Sequence, residues 1–126
     1  MDPELVRALA PVLADLRATG APVPRIEEHD WTGQRDRPGA VLRGRGGSGQ
    51  GVATTRGRPP AQQVTEVADQ VQEWAVEDLW GTAPTNWPRC PHHPMTHPLE
   101  ARLQDAAAWW VCPRDGVRVS EVGALG

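Results

Sequence analysis

Trp87-Pro88-Arg89-Cys90-Pro91-His92-His93-Pro94, answered after an interval by Cys112-Pro113-Arg114-Asp115-Gly116, is the pair of segments whose reading decides the fold of the last third of the chain. Each segment places a thiolate three positions before a second metal-ligand type, Cys90 before His93 and Cys112 before Asp115. Proline follows the first ligand of each pair and stiffens a turn. Thiolate and imidazole are the ligands of structural zinc, and a carboxylate oxygen is also accepted.

These segments resemble the two knuckles of a zinc ribbon, a family in which C-P-x-C-G turns joined by a β-hairpin grip one zinc ion. The resemblance covers Trp87 to Val122 and departs from the family pattern twice, because His93 and Asp115 stand where the second cysteine of each knuckle would be. It implies one structural Zn2+ held by Cys90, His93, Cys112 and Asp115. Pro113-Arg114-Asp115-Gly116 is equally a plain turn sequence, so His97 and His92 are alternative fourth ligands, and water is another. Between the knuckles, Leu99, Ala101 and Leu103 alternate with Glu100, Arg102 and Gln104 before Ala108 to Val111 turns apolar. That is the pattern of hairpin arms. The motif W-P-x-C-P-x-H-P with a later W-x-C-P also resembles small bacterial proteins, a likeness that carries no activity with it.

Working toward the N-terminus, Ala61 to Trp80 carries Val64, Val67, Ala68, Val71, Trp74, Ala75 and Leu79 at helical spacing, and predicts a long amphipathic helix. Its other face, with Gln62, Gln63, Glu66, Asp69, Gln70, Glu73 and Glu77, reads as a solvated acidic surface. Gly81 to Pro88 reads as a loop. Asp2-Pro3-Glu4 predicts an N-capped first helix with Leu5, Leu9, Val12, Leu13 and Leu16 inward, ending near Gly20 and kinked or split at Pro11. The stretches Arg25 to Trp31, Ala40 to Arg45 and Gly51 to Thr55 read as strands, with Gly46 to Gln50 as a hairpin tip.

The expected fold is therefore α+β: an N-terminal helix, a short antiparallel sheet, a long amphipathic helix and a C-terminal zinc-ribbon-like β-hairpin. Residues 1–82 and 83–126 are expected to pack together as one compact domain. A chain of 126 residues with 39% hydrophobic residues can build only a modest core, so a metal staple would contribute materially. Six tryptophans, with no Phe or Tyr, must be its main large fillers.

All 13 basic residues are arginine, and six of them, at 35, 37, 43, 45, 56 and 58, stand against the single Asp36 in a segment of charge +5 within a chain of net charge −3. Nucleic-acid phosphate or an acidic protein surface suits such a segment, with Arg43, Arg45, Arg56 and Arg58 as the candidate contacts. Arg-Gly-Arg-Gly-Gly from Arg43 resembles the RGG segments that contact RNA. Pairing with the acidic face of the long helix is the alternative. Gly44, Gly46 and Gly49 spell G-x-G-x-x-G, but a strand follows where a nucleotide site needs a helix, and no nucleotide cofactor is expected.

The acidic start Met1-Asp2-Pro3-Glu4 lacks the basic-then-apolar pattern of a secretory signal, and no apolar run reaches bilayer length, so a cytoplasmic protein without a membrane partner is expected. The function expected is that of a zinc-stabilised, non-enzymatic binding or regulatory protein acting through a protein partner, with Trp80, Trp87, Trp109 and Trp110 beside the ribbon. Nucleic-acid binding is the alternative. A zinc hydrolase with an open coordination position and Glu100 as base is the third. No catalytic residue is assigned.

Overall fold

Asp2 opens the first helix, α1 (Pro3–Ala18), in the computed structural model of the chain, which describes residues 1–47, 49–79 and 86–126. Its Oδ1 accepts the backbone N–H groups of Glu4 and Leu5 at 2.9 and 3.2 Å, satisfying two donors that a helix start leaves unpaired. The helix continues through Pro11 as one element and buries Leu5, Ala8, Leu9, Val12 and Leu16. It ends at Thr19, where Gly20 takes a φ of 70°. Gly20 N–H then reaches the Arg17 carbonyl and Ala21 N–H the Leu16 carbonyl, a paired C-terminal closure that glycine permits without steric cost.

Strands β1 (Arg25–Glu28), β2 (Gly39–Arg43) and β3 (Gly49–Ala53) form an antiparallel sheet in that order. Ile26 pairs with Leu42, and Ala40 with Val52. Ala40, Leu42 and Val52 belong to the core. A turn closed by Gly47 N–H to the Gly44 carbonyl leads into β3, so Gly49 and Gln50, expected in the tip, are strand residues.

Helix α2 (Pro60–Asp78) lies between the two halves, packing on α1, on β3 and on the second sheet. That sheet is β4 (Glu100–Gln104), β5 (Ala107–Val111) and β6 (Arg118–Glu121), again antiparallel in sequence order, so β6 adds a third strand to the expected hairpin. The fold is α+β, with two helices and two small three-stranded sheets among the described residues. One buried cluster runs from Leu5, Leu9 and Leu16 through Leu42, Val67, Val71 and Trp74 to Cys90, Leu99, Trp110 and Cys112.

The polar side of α2 is not simply solvated. Gln63 is fully buried; its Nε2 donates to Glu4 Oε1 and the Thr55 carbonyl at 3.0 and 2.9 Å. Gln70 accepts from Ala53 N–H at 2.9 Å and donates back to the Ala53 carbonyl at 2.7 Å, so its amide pairs with β3 as another strand would. Glu66 accepts from Thr54 Oγ1, and Gln72 donates to the carbonyls of Trp87 and Leu99. A buried backbone group without a partner is costly. These side chains supply partners to both neighbouring layers, and that purpose overrides the acidic pattern read from spacing. Trp80 and Ser48, with residues 81–85 of the expected loop, lie outside the described residues.

Candidate metal centre

Cys90 lies in the segment leading to β4 and Cys112 directly follows β5, so the β4–β5 pairing brings the two segments together. Trp87 is buried and meets Trp110 edge to face at 5.4 Å, which anchors the first segment against the sheet. The Arg89–Pro98 bridge closes the loop that carries the histidines. Within that loop His93 N–H reaches the Cys90 carbonyl at 3.1 Å, the i to i+3 closure that sets two ligands three positions apart.

The result is a group of four side chains, Cys90, His93, His97 and Cys112, whose ligand atoms all lie within 4.8 Å of one another. His93 Nδ1 stands 3.6 Å from Cys90 Sγ and 3.6 Å from Cys112 Sγ. His97 pairs its Nδ1 with the Pro98 carbonyl at 3.2 Å, and since a carbonyl only accepts, this nitrogen carries the proton. Its Nε2 thereby keeps its lone pair, and this buried nitrogen has no hydrogen-bond partner among the described residues. Both cysteines are buried and free of disulfide. The group can hold one metal ion.

Asp115 is held differently. The second turn closes through Gly116 N–H to the Cys112 carbonyl at 2.8 Å, one residue longer than the first. Asp115 Oδ1 accepts from Val117 N–H at 2.9 Å, and that bond, followed by one from the Cys112 thiol, holds the carboxyl below its ordinary range. Asp115 is exposed and is not in the four-residue group, where His97 stands instead. His92 is exposed beside His93 and is also outside the group. The signal for His97 was present in the sequence, because His93 and His97 are separated by the three residues common between histidine ligands of zinc.

Burial raises the Cys112 thiol above its usual range, opposed by the backbone N–H groups of Asp115 and Arg114. A cation among the four atoms would supply the positive charge that favours thiolate over thiol. Glu100, the candidate base, is exposed and paired with Arg102 at 2.8 Å.

The arginines of segment 35–58 divide. Arg43 pairs with Glu27 at 2.9 Å, and Arg56 with Asp2 at 2.7 Å and Glu4 at 3.4 Å. Arg37 reaches Glu66 of α2 at 4.0 Å. Arg45 and Arg58 are exposed and make no ion pair among the described residues. Among the described residues no helix is long and apolar enough to cross a membrane. The chain matches no protein-family model, and no curated protein and no solved structure matches it.

Proposed function

We propose that this is a small, non-enzymatic binding protein whose C-terminal third is held in shape by one structural zinc ion, with Cys90, His93, His97 and Cys112 as ligands. One observation carries the reading. With Zn–S near 2.3 Å and Zn–N near 2.0–2.1 Å, a tetrahedral site has sulfur-to-nitrogen edges of about 3.6 Å. His93 Nδ1 stands at that separation from both sulfurs. A metal shared by the two sulfurs and this nitrogen accounts for both distances at once.

The unpartnered Nε2 of His97 supports the same reading, because a buried nitrogen with a free lone pair is what a fourth ligand presents. Four protein donors fill a tetrahedron and leave no position for an activated water, which favours stabilisation over hydrolysis. Zinc would supply charge compensation for two buried thiolates and couple the two turns to one another. Trp87 and Trp110 are buried, so beside the centre they contribute packing and not a surface for a partner.

The test is metal content per chain in protein purified without affinity histidines, for the native sequence and for Cys90→Ser and Cys112→Ser. About one zinc per chain, lost in both variants, is expected for a site with one zinc and two thiolate ligands. A native protein that retains no zinc after reconstitution and desalting would overturn the proposal.

A further inference from the structure

The outer face of the first sheet is floored by glycine. Gly39 on β2 and Gly49 and Gly51 on β3 lie on the side opposite the buried Ala40, Leu42 and Val52, and side chains from elsewhere lie across them. A Cβ added to Gly51 would sit 2.6, 2.8 and 3.0 Å from Cε2, Cζ2 and Cδ2 of Trp31. Such near-equal distances to three bonded ring atoms describe a point over the face of the indole, so the ring lies flat against β3. A Cβ on Gly39 would meet the indole Nε1 at 2.7 Å. That nitrogen donates to the carbonyls of Ala40 and Val52 at 2.9 and 3.2 Å, which fixes the ring in its plane.

Next along β3, a Cβ on Gly49 would meet Arg43 Nη1 at 2.5 Å and Val41 Cγ1 at 2.8 Å, so the Arg43 guanidinium also lies low on the sheet. Glu27 holds it there through Nε and Nη2. Gly49 and Gly51 are two residues apart, about 7 Å along a strand. The indole and the guanidinium are thus presented side by side on one face. Trp31 is 43% exposed, unusual for a tryptophan already committed through its N–H and one face.

The charge around this face suits phosphate. Arg25 stands directly opposite Arg43 in the sheet register, and Arg45 lies in the turn joining β2 to β3. Both are exposed and make no ion pair among the described residues. Glu27 pairs with Arg43 and also feels the charge of Arg25, but one carboxylate against Arg25, Arg43 and Arg45 leaves the face an excess of positive charge although the whole chain is acidic.

We propose that this face binds single-stranded nucleic acid, with a base stacked on the free side of Trp31, a second over the Arg43 guanidinium, and phosphates held by Arg25 and Arg45. Aromatic side chains backed by a sheet and flanked by arginines are how sequence-tolerant single-strand binding is achieved. The site rests on the reading of the protein as a binding module, but it is remote in sequence from the metal centre and can fail separately from it.

Fluorescence anisotropy with labelled single strands of about 12 nucleotides, DNA and RNA, at about 50 mM salt tests the proposal. Expected are measurable affinity for the native chain, a loss of about tenfold or more in Trp31→Ala with most of it kept in Trp31→Phe, and a shallower salt dependence in Arg45→Glu. Far-UV circular dichroism and zinc content, measured on the same samples, separate loss of the platform from loss of the fold. No single-strand affinity in a folded, zinc-loaded chain would overturn the platform and leave the zinc reading standing. Equal affinity for duplex or for polyglutamate, or indifference to Trp31→Ala, would overturn it as well. Single-strand binding by a chain that holds no zinc would support the platform and overturn the zinc reading.

Discussion

His97 and Asp115 show how one residue position decides chemistry. His97 has its tautomer set by the Pro98 carbonyl and its other nitrogen free and buried, whereas Asp115 uses its carboxylate to hold Val117 N–H. His97→Ala is therefore expected to lower zinc affinity by about a hundredfold or more, since the interactions that orient a ligand are alone worth about 10–100-fold. Asp115→Asn is expected to keep one zinc per chain and cost about 1 kcal/mol in the turn. Competition with a chromophoric chelator and a urea titration measure the two. Equal loss of zinc in both variants would give Asp115 the role assigned here to His97.

At the scale of elements, the start of α1 is tied to the start of α2. Glu4 accepts from Gly57 N–H at 2.9 Å and from Gln63 Nε2 at 3.0 Å, and these bonds hold its carboxyl below the usual range. Partial burial pushes the Asp2 carboxyl up, but the N–H groups of Leu5 and Glu4 and the Arg56 guanidinium bring it down further. Both carboxylates are thus favoured in the folded chain. Their contribution is complete above the ordinary carboxylate range, which begins near 4.5 for Glu4, and is lost as pH falls through the lowered folded values. Urea midpoints followed from neutrality down to about pH 3 should fall less steeply in Glu4→Gln than in the native chain. The Cys90, His93, His97 and Cys112 group is common to both proteins, so any metal it holds cancels in the difference. Parallel curves would show that Glu4 carries none of the acid sensitivity.

For the whole molecule, the buried carboxylate of Asp15 joins the two ends of the chain. It accepts from Trp110 Nε1 at 2.8 Å, from Gly123 N–H at 2.7 Å and from Leu125 N–H at 2.9 Å. Removing it strands three donors, so Asp15→Ala is expected to cost on the order of 4 kcal/mol, a large share of the stability of a domain this size. Thermal melts with and without chelator should show the same cooperative unit weakened in each case, because Cys90, Trp110 and Cys112 share one buried cluster with Leu5, Leu9 and Leu16. A variant that melts like the native chain would mean that water replaces the carboxylate at no cost.

The sequence by itself determined the elements and the chemistry available to them. Helical spacing marks α1 and α2, alternation marks β4 and an apolar run marks β5 but not β6, and the proline-stiffened turns mark Cys90, His93 and Cys112, because each of these depends on residues close together in the chain. Three assignments depended on distances between segments far apart. Gln63 and Gln70 look like solvated helix residues until Ala53 of β3 and Thr55 just beyond it supply the backbone groups that need them. Trp31, which lies beyond β1 and not within the expected strand Arg25 to Trp31, looks like a core filler until Gly39 of β2 and Gly51 of β3 provide the floor on which it lies exposed. The choice of His97 over Asp115 in the four-residue group follows from one extra residue in the second turn and from a hydrogen bond to Pro98. Such choices are made by which unsatisfied backbone group lies within about 3 Å in the folded chain, and only the tertiary structure sets that distance.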